Sequence, residues 1–229
     1  FARFKGKLKP EAINAMRESF GLTNDPILVQ YTSYLKGILQ GELGTSIAYF
    51  PEPVSEIIGS GLFWTIFLAG SSLIIAFLIG TTLGVIIAWN RTGKLDTILP
   101  PALAFFGAFP YFWLAMVFLY IFGFSMNWFP IGRAFGNEVN LGLNLPFLLS
   151  ALYHAFLPAL TLIFVSLGGW MLSMRNTMIS TLGSDYITFA NAKGIPSRLI
   201  MLRYAARNAI LPNLTGFGMA LGFMLSGAL

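Results

Sequence analysis

The chain has 229 residues, of which 56% are hydrophobic and only 10% charged, with a formal net charge of +5. A soluble domain carries about 25% charged residues, so a chain this poor in charge cannot cover a water-facing surface. Windows 57–90, 97–132 and 139–174 contain no Asp, Glu, Lys or Arg, and each exceeds the roughly 20 residues that cross a bilayer.

A charge at the centre of a span costs about 2.5–3.5 kcal/mol on insertion scales, which explains such gaps. The expected fold class is therefore all-α, a polytopic transmembrane helical bundle. The basic residues are placed unevenly. Residues 1–56 balance six basic against six acidic groups, the 91–96 loop holds Arg91 and Lys94, and the 175–207 segment holds Arg175, Lys193, Arg198, Arg203 and Arg207 against one acid, Asp185. The positive-inside rule then puts 91–96 and 175–207 in the cytoplasm, with 1–56 and 125–145 outside. The expected division is an extracytoplasmic segment, 1–56, and a membrane domain, 57–229. The absence of cysteine decides nothing about redox compartment.

In chain order, Pro10–Phe20 reads as an amphipathic helix with Ile13, Met16 and Phe20 at helical spacing. Asn24-Asp-Pro26 is a turn, and Ile27–Leu39 a second helix with Tyr31, Tyr34, Leu35 and Ile38 on one side. Gly41–Ser46 reads as a loop. This segment either lies on the membrane surface or meets an external partner. An outside segment that begins at Phe1 needs a preceding span to carry it across.

Leu62–Trp89 is the first complete span, with Gly80 and Gly84 in the small-xxx-small pattern that lets helices approach closely. The second span is expected over Ile98–Phe124. Pro110 removes a backbone hydrogen bond inside it and predicts a kink. Kinked helices are tolerated where neighbours or a water-filled cavity satisfy the freed carbonyl, so Phe109, Pro110, Tyr111 and Trp113 are candidates to line a translocation path. Aromatic packing around a structural kink is the plainer alternative. Trp128–Pro146 reads as a loop and Leu152–Met174 as the third span. His154, the single histidine, has no acid within its span to pair with, which weakens a proton-relay role. Gly168-Gly169 marks a flexible or closely packed point. The last span begins near Pro212.

Chemistry is sparse. No phosphate-binding Gly-x-x-x-x-Gly-Lys-Ser/Thr loop occurs, no metal-ligand cluster, and no nucleophile constellation, so no catalytic or metal-binding residues are assigned. Ion-coupled carriers need intramembrane ionisable groups or broken-helix ion sites, and the spans lack such charges. What remains is the polar segment 175–212. Asp185 suits a helix N-terminus, Ala190 and Ala192 keep that helix slim enough for another protein to pack on it, and Gly194 breaks it at little steric cost. Pro196 suits the start of a second helix, whose apolar face is expected at Leu199, Leu202 and Ala206. Such a helix–Gly–helix knob either docks a motor protein or lies on anionic lipid.

Arg175 and Met178, Asp185-Tyr186, Ala190-Asn-Ala-Lys-Gly194, Arg207-Asn-Ala209 and Pro212 together resemble the EAA loop of binding-protein-dependent ABC importer permeases of the peptide/nickel branch. Gly21-Leu22, Gly41–Ser46, Pro110–Leu114, Trp128–Gly132, His154 with Leu157-Pro-Ala159, and Leu225–Leu229 extend the resemblance to the first permease of the pair. Thr188 and Asn191 depart from it where arginines are common, and Tyr204 where histidine is common.

The resemblance implies a type I ABC importer permease fold in a prokaryotic inner membrane, with one span before Phe1 and one after Leu229. It implies a second permease, two ATPase subunits carrying ATP and Mg, and an extracytoplasmic substrate-binding protein as partners. The substrate it implies is a peptide, with oligosaccharides or nickel complexes as alternatives. The docking residues it implies are Asp185, Tyr186, Ala190, Ala192, Lys193, Gly194 and Arg207. An ion-coupled carrier or channel without an ATPase is the competing class.

Overall fold

The computed structural model describes residues 17, 20 and 25–225. The expected Pro10–Phe20 helix therefore lies outside the described residues apart from Arg17 and Phe20, as do Gly21-Leu22, Asn24 and residues 226–229. The fold is all-α. Among the described residues no strand forms, and Thr45 and Pro53 make an isolated antiparallel bridge.

Two compact units are present, Phe1–Trp64 and Thr65–Leu229. In the first, α1 (Ile27–Leu39) follows Pro26 directly and buries none of its residues. Its apolar side, including Tyr31, Tyr34 and Leu35, stays exposed. The Gly41–Ser46 loop turns through two left-handed glycines, Gly41 and Gly44. Helix α2 (Val54–Thr65) closes this part of the chain.

In the second unit a π-helical turn, Ile66–Gly70, leads into α3 (Ser71–Trp89). Together Val54–Trp89 and Leu145–Leu182 are helices long and apolar enough to cross a membrane. Where the first complete span was expected from Leu62, the helix starts eight residues earlier, at Val54, in the loop-to-helix turn after Pro53.

The second expected span is not a kinked helix. It is two helices, α4 (Lys94–Gly107) and α5 (Tyr111–Phe118), the latter continued by a π-helical stretch, Leu119–Ser125, and the two arms meet at 97°. Pro110 supplies no N–H and disfavours helical geometry at the residue before it. It also adopts an extended ψ of 133°, so the chain turns outright and α5 restarts from the Pro110 carbonyl.

The third span also differs. Helix α6 runs from Leu145 to Leu182, 38 residues, about 57 Å at 1.5 Å per residue against a hydrocarbon thickness of about 30 Å. Asn144 caps it by accepting the Phe147 N–H at 2.9 Å, and Pro146 sits in its first turn, both ordinary helix-start signals. At the other end Arg175 marks where the apolar run stops, not where the helix does. Helix α10 (Leu211–Leu225) closes the described chain.

Within the second unit, helix α6 is the spine on which α3, α4 and α5 pack. A Cβ on Gly80 would stand 2.7 Å from Trp170 Cβ and 2.9 Å from the Leu167 carbonyl. One on Gly84 would stand 2.7 Å from the Met171 carbonyl. The small-xxx-small pattern thus seats α3 on α6. Helix α4 approaches α6 in the same way, since a Cβ on Gly168 would lie 2.8 Å from the Leu103 carbonyl oxygen. Phe77, Trp170 and Phe217 form an aromatic cluster between α3, α6 and α10, with Phe77 and Phe217 centroids 4.5 Å apart.

Candidate functional site

The polar segment after α6 folds onto the helix ends. Helix α7 (Asp185–Ala192) begins at Asp185, behind the extended Ser184, so the carboxylate stands in the first turn, where the helix dipole favours it. The helix ends in a Schellman motif. Gly194 takes φ +73°, its N–H reaches the Asn191 carbonyl at 2.9 Å, and the Ile195 N–H reaches the Ala190 carbonyl at 3.3 Å. Both bonds satisfy carbonyls that a helix end otherwise leaves open. The apolar partner of this cap is Ile195, packed against the cluster that contains Ala190.

The chain then runs through α8 (Ser197–Leu199), a π-helical stretch Ile200–Ala206, and α9 (Arg207–Ala209). The expected apolar face at Leu199, Leu202 and Ala206 is corrected here. The fully buried residues are Ile200, Ala205 and Ala209, while Leu202 is exposed. A π-helix takes more residues per turn than an α-helix, so the inward positions fall five and four residues apart instead of at the spacing a regular helix would give.

Ile187, Ala190, Ile200, Ala205 and Ala209 bury with Val85, Ala88, Met174 and Met178 in one core. Ala190 was expected to admit another protein. It is instead 2% exposed and holds α7 against the ends of α3 and α6. Ala192 is exposed, as are Asp185, Tyr186, Lys193, Gly194 and Arg207. The small side chain at 190 serves inward packing, whereas the equally small Ala192 lies outside.

The outside also includes Phe189, 61% exposed, a residue the sequence reading left out. Its ring lies under the Lys193 ammonium at 4.5 Å, a cation–π contact. The signal was available, because an aromatic four residues before a lysine on a helix meets it on one side. Tyr186 is clamped from behind: its hydroxyl donates to the Tyr204 carbonyl at 3.4 Å and accepts from Asn208 Nδ2 at 3.2 Å. Lys193, Arg198, Arg203 and Arg207 form no ion pair among the described residues. The exposed residues of this segment therefore include four cations, one carboxylate and two aromatic rings, on a scaffold fixed from beneath.

Arg175 on α6 binds Asp96 in the first turn of α4. The Arg175 Nε and Nη2 both lie 2.6 Å from Asp96 Oδ1, and Asp96 Oδ2 accepts the Thr92 N–H at 3.2 Å. Asp96 stands ahead of the apolar run that opens at Ile98. The hydrogen bond from Arg175 is the main cause holding its carboxyl below the ordinary carboxylate value.

The other candidate residues lie at the 97° turn. Phe109 stacks on Trp113 with centroids 4.9 Å apart and planes 15° off parallel, and Phe105 meets Phe109 edge-on at 5.0 Å. Pro110, Tyr111 and Trp113 are exposed and Phe109 is half-buried. This aromatic column is separated from Asp96 by the length of α4, about 17 Å for the 11 residues from Asp96 to Gly107, so the fold does not merge the two groups into one site.

A buried residue that the sequence reading passed over joins three helices. Asn213, 1% exposed, accepts the Ser173 hydroxyl at 2.6 Å and donates from Nδ2 to the Trp170 carbonyl at 3.1 Å and to Thr81 Oγ1 at 3.2 Å. A lone amide next to Pro212 at the mouth of an apolar run was its only mark in sequence.

Residues 80–229 match the family described as binding-protein-dependent transport system inner membrane component. The chain is 34% identical over 226 residues to the oligopeptide transport system permease protein AppB of Bacillus subtilis, covering 96% of this chain and 69% of the relative. It is 34% identical over 231 residues to the probable D,D-dipeptide transport system permease protein DdpB of Escherichia coli, covering 94% and 67%. To the glutathione transport system permease protein GsiC of Salmonella choleraesuis it is 31% identical over 220 residues, covering 96% and 66%. The chain thus spans about two thirds of the length of these relatives. With its apolar helices and the matched region covering α6, the 185–209 knob and the second half of α3, the chain belongs to the binding-protein-dependent transport system inner membrane components, a family of multi-pass membrane proteins.

Proposed function

We propose that this chain is a permease subunit of an ATP-driven peptide importer. It forms a translocation path with a second permease and is moved by ATPase subunits that dock on the 185–207 knob. The observation that carries the docking assignment is the two-sided build of that knob. One side is sealed into the core of α3 and α6; the exposed residues include Tyr186, Phe189, Lys193 and three arginines that form no ion pair among the described residues. A solvent loop would not need an aliphatic underside, and a lipid-lying loop would not turn its aliphatic residues away from the bilayer.

A rigid knob passes on a push. Movement of an ATPase against Phe189 and Lys193 is delivered through Ile187 and Ala190 to Met174 and Met178 on α6, and so to the helices that pack on that spine. The relatives' names specify oligopeptide, D,D-dipeptide and glutathione, which supports a peptide as cargo. The ATP and Mg sites belong to the partner ATPases, the cargo arrives on an extracytoplasmic binding protein, and the knob faces the cytoplasm with residues 1–56 outside.

The test is reconstitution of the full-length subunit with its partners and measurement of uptake and ATP hydrolysis together. Gly194→Asn, whose side chain tolerates the left-handed conformation, keeps uptake. Gly194→Val, strained at φ +73°, uncouples hydrolysis from uptake. Equal uptake by the Val variant at equal expression removes the docking assignment.

A further inference from the structure

A cavity of about 270 Å³ lies between α5, its π-helical continuation, the Pro130–Arg133 loop and α6. Its walls are largely apolar, with Met116, Leu119, Ile131 and Leu157 among them; its charged lining residue is Arg133, and His154 also lines it. Arg133 forms no ion pair among the described residues. It also holds φ +71°, a left-handed backbone that L side chains rarely adopt, although Gly132 beside it would accept that conformation freely. Strain of this kind concentrates at ligand sites.

His154 has a defined role. Its Nδ1 lies 2.7 Å from the Ser150 carbonyl, which only accepts, so Nδ1 carries a proton and Nε2 is the ring nitrogen left for a ligand. Pro158, one turn on, supplies no N–H to the His154 carbonyl. The hydroxyl in the lining, on Thr161, is spent on the Leu157 carbonyl at 3.0 Å. The cavity therefore offers one exposed cation, Arg133, a ring nitrogen of His154, and apolar walls. That combination matches one chemical unit, a terminal amino-acid residue with its free carboxylate, its single N–H and an apolar side chain. The volume falls just below the roughly 300 Å³ at which sites for drug-sized ligands begin, which suits one residue and not a chain.

We propose that this cavity binds the free carboxylate of a terminal apolar amino-acid residue, with Arg133 pairing with the carboxylate and His154 accepting the N–H. Its position on the outer side, and its use by peptide cargo, rest on the function proposed above; the binding itself does not.

The test titrates N-acetyl-leucine and N-acetyl-leucine amide into the full-length protein in lipid nanodiscs without nucleotide, read by saturation-transfer NMR. The acid binds saturably and the amide about tenfold more weakly, as expected for loss of a charge-assisted pair. Arg133→Gln lowers affinity for the acid about tenfold, leaves the amide unchanged, and Arg133→Lys restores part of the loss. If Arg133→Gln does not fold, the acid–amide comparison on the unaltered protein still decides. No saturable signal from the acid, equal affinity for acid and amide, or indifference to Arg133→Gln overturns the proposal. Because the assay needs neither ATPase nor uptake, its failure leaves the importer reading standing, and failure of ATP-driven uptake leaves the binding result standing.

Discussion

Arg175 and Asp96 lie 79 residues apart in sequence and meet at 2.6 Å, with both Arg175 nitrogens on the same carboxylate oxygen. The pair ties the start of α4 to the spine helix where its apolar run ends. Its side chains are only 24% and 12% exposed, so removing one partner strands the other in a poorly solvated place. Asp96→Asn and Arg175→Ala are each expected to cost about 1.5–3 kcal/mol, the range for hydrogen bonds to charged groups. Thermal unfolding of the detergent-solubilised protein measures this, and the exchanged double variant Asp96→Arg/Arg175→Asp recovers part of the loss. Full additivity of the two single losses would show that the pair is not energetically coupled.

Gly168 and Gly169 are adjacent but have opposite surroundings. A Cβ at 168 would meet the Leu103 carbonyl oxygen at 2.8 Å, whereas at 169 nothing lies within 4 Å. Gly168→Ala is expected to destabilise by about 1–3 kcal/mol through overpacking against backbone. Gly169→Ala is expected to be neutral or to gain up to about 1 kcal/mol from better helix propensity. The same unfolding assay ranks them, and equal behaviour would contradict the α4–α6 contact.

Asn213 fastens α10 to α3 and α6 through its amide. Asn213→Leu is expected to cost roughly 1–2 kcal/mol, near the upper range for side-chain hydrogen bonds within membranes. Asn213→Asp places a charge at a site 1% exposed and is expected to be worse, by about 2.5–3.5 kcal/mol on insertion scales. Yield of folded protein by size-exclusion chromatography orders the two, and a milder Asp variant would show that water reaches the site.

The π-helical stretch makes a prediction that an α-helical register would reverse. Ala205 is fully buried and Leu202 is 48% exposed. Ala205→Leu is expected to destabilise by about 1–3 kcal/mol, while Leu202→Gln changes stability by no more than about 0.5 kcal/mol. Leu202→Gln is then free to report on partner docking, through uptake and ATPase recruitment, without a fold defect.

Much of this protein was legible in its residues. Charge-free windows mark where hydrocarbon must be crossed, because an unpaired charge there is too costly. The Ile27–Leu39 helix, the start of α7 at Asp185 and its break at Gly194 are local matters of capping, dipole and φ, which adjacent residues decide. The boundaries of α6 were less legible, since the end of an apolar run is a statement about solvent and the end of a helix is one about backbone hydrogen bonds.

Tertiary structure decided what faces what. A glycine pair such as 168–169 carries no mark of which member meets Leu103, because close approach depends on a partner more than sixty residues away. Nor does Ala190 show whether its smallness serves a neighbour outside or a core beneath. The Ile200–Ala206 stretch reads as an α-helix, and only the folded chain shows a π register that buries Ile200 and Ala205 with Met174 and Met178. The 97° turn at Pro110 could have been a modest kink, since proline forbids one hydrogen bond but does not set an angle. The pairing of Asp96 with Arg175, the amide knot at Asn213 and the cavity lined by both Arg133 and His154 all join distant segments, and such arrangements exist only once the helices have chosen their neighbours.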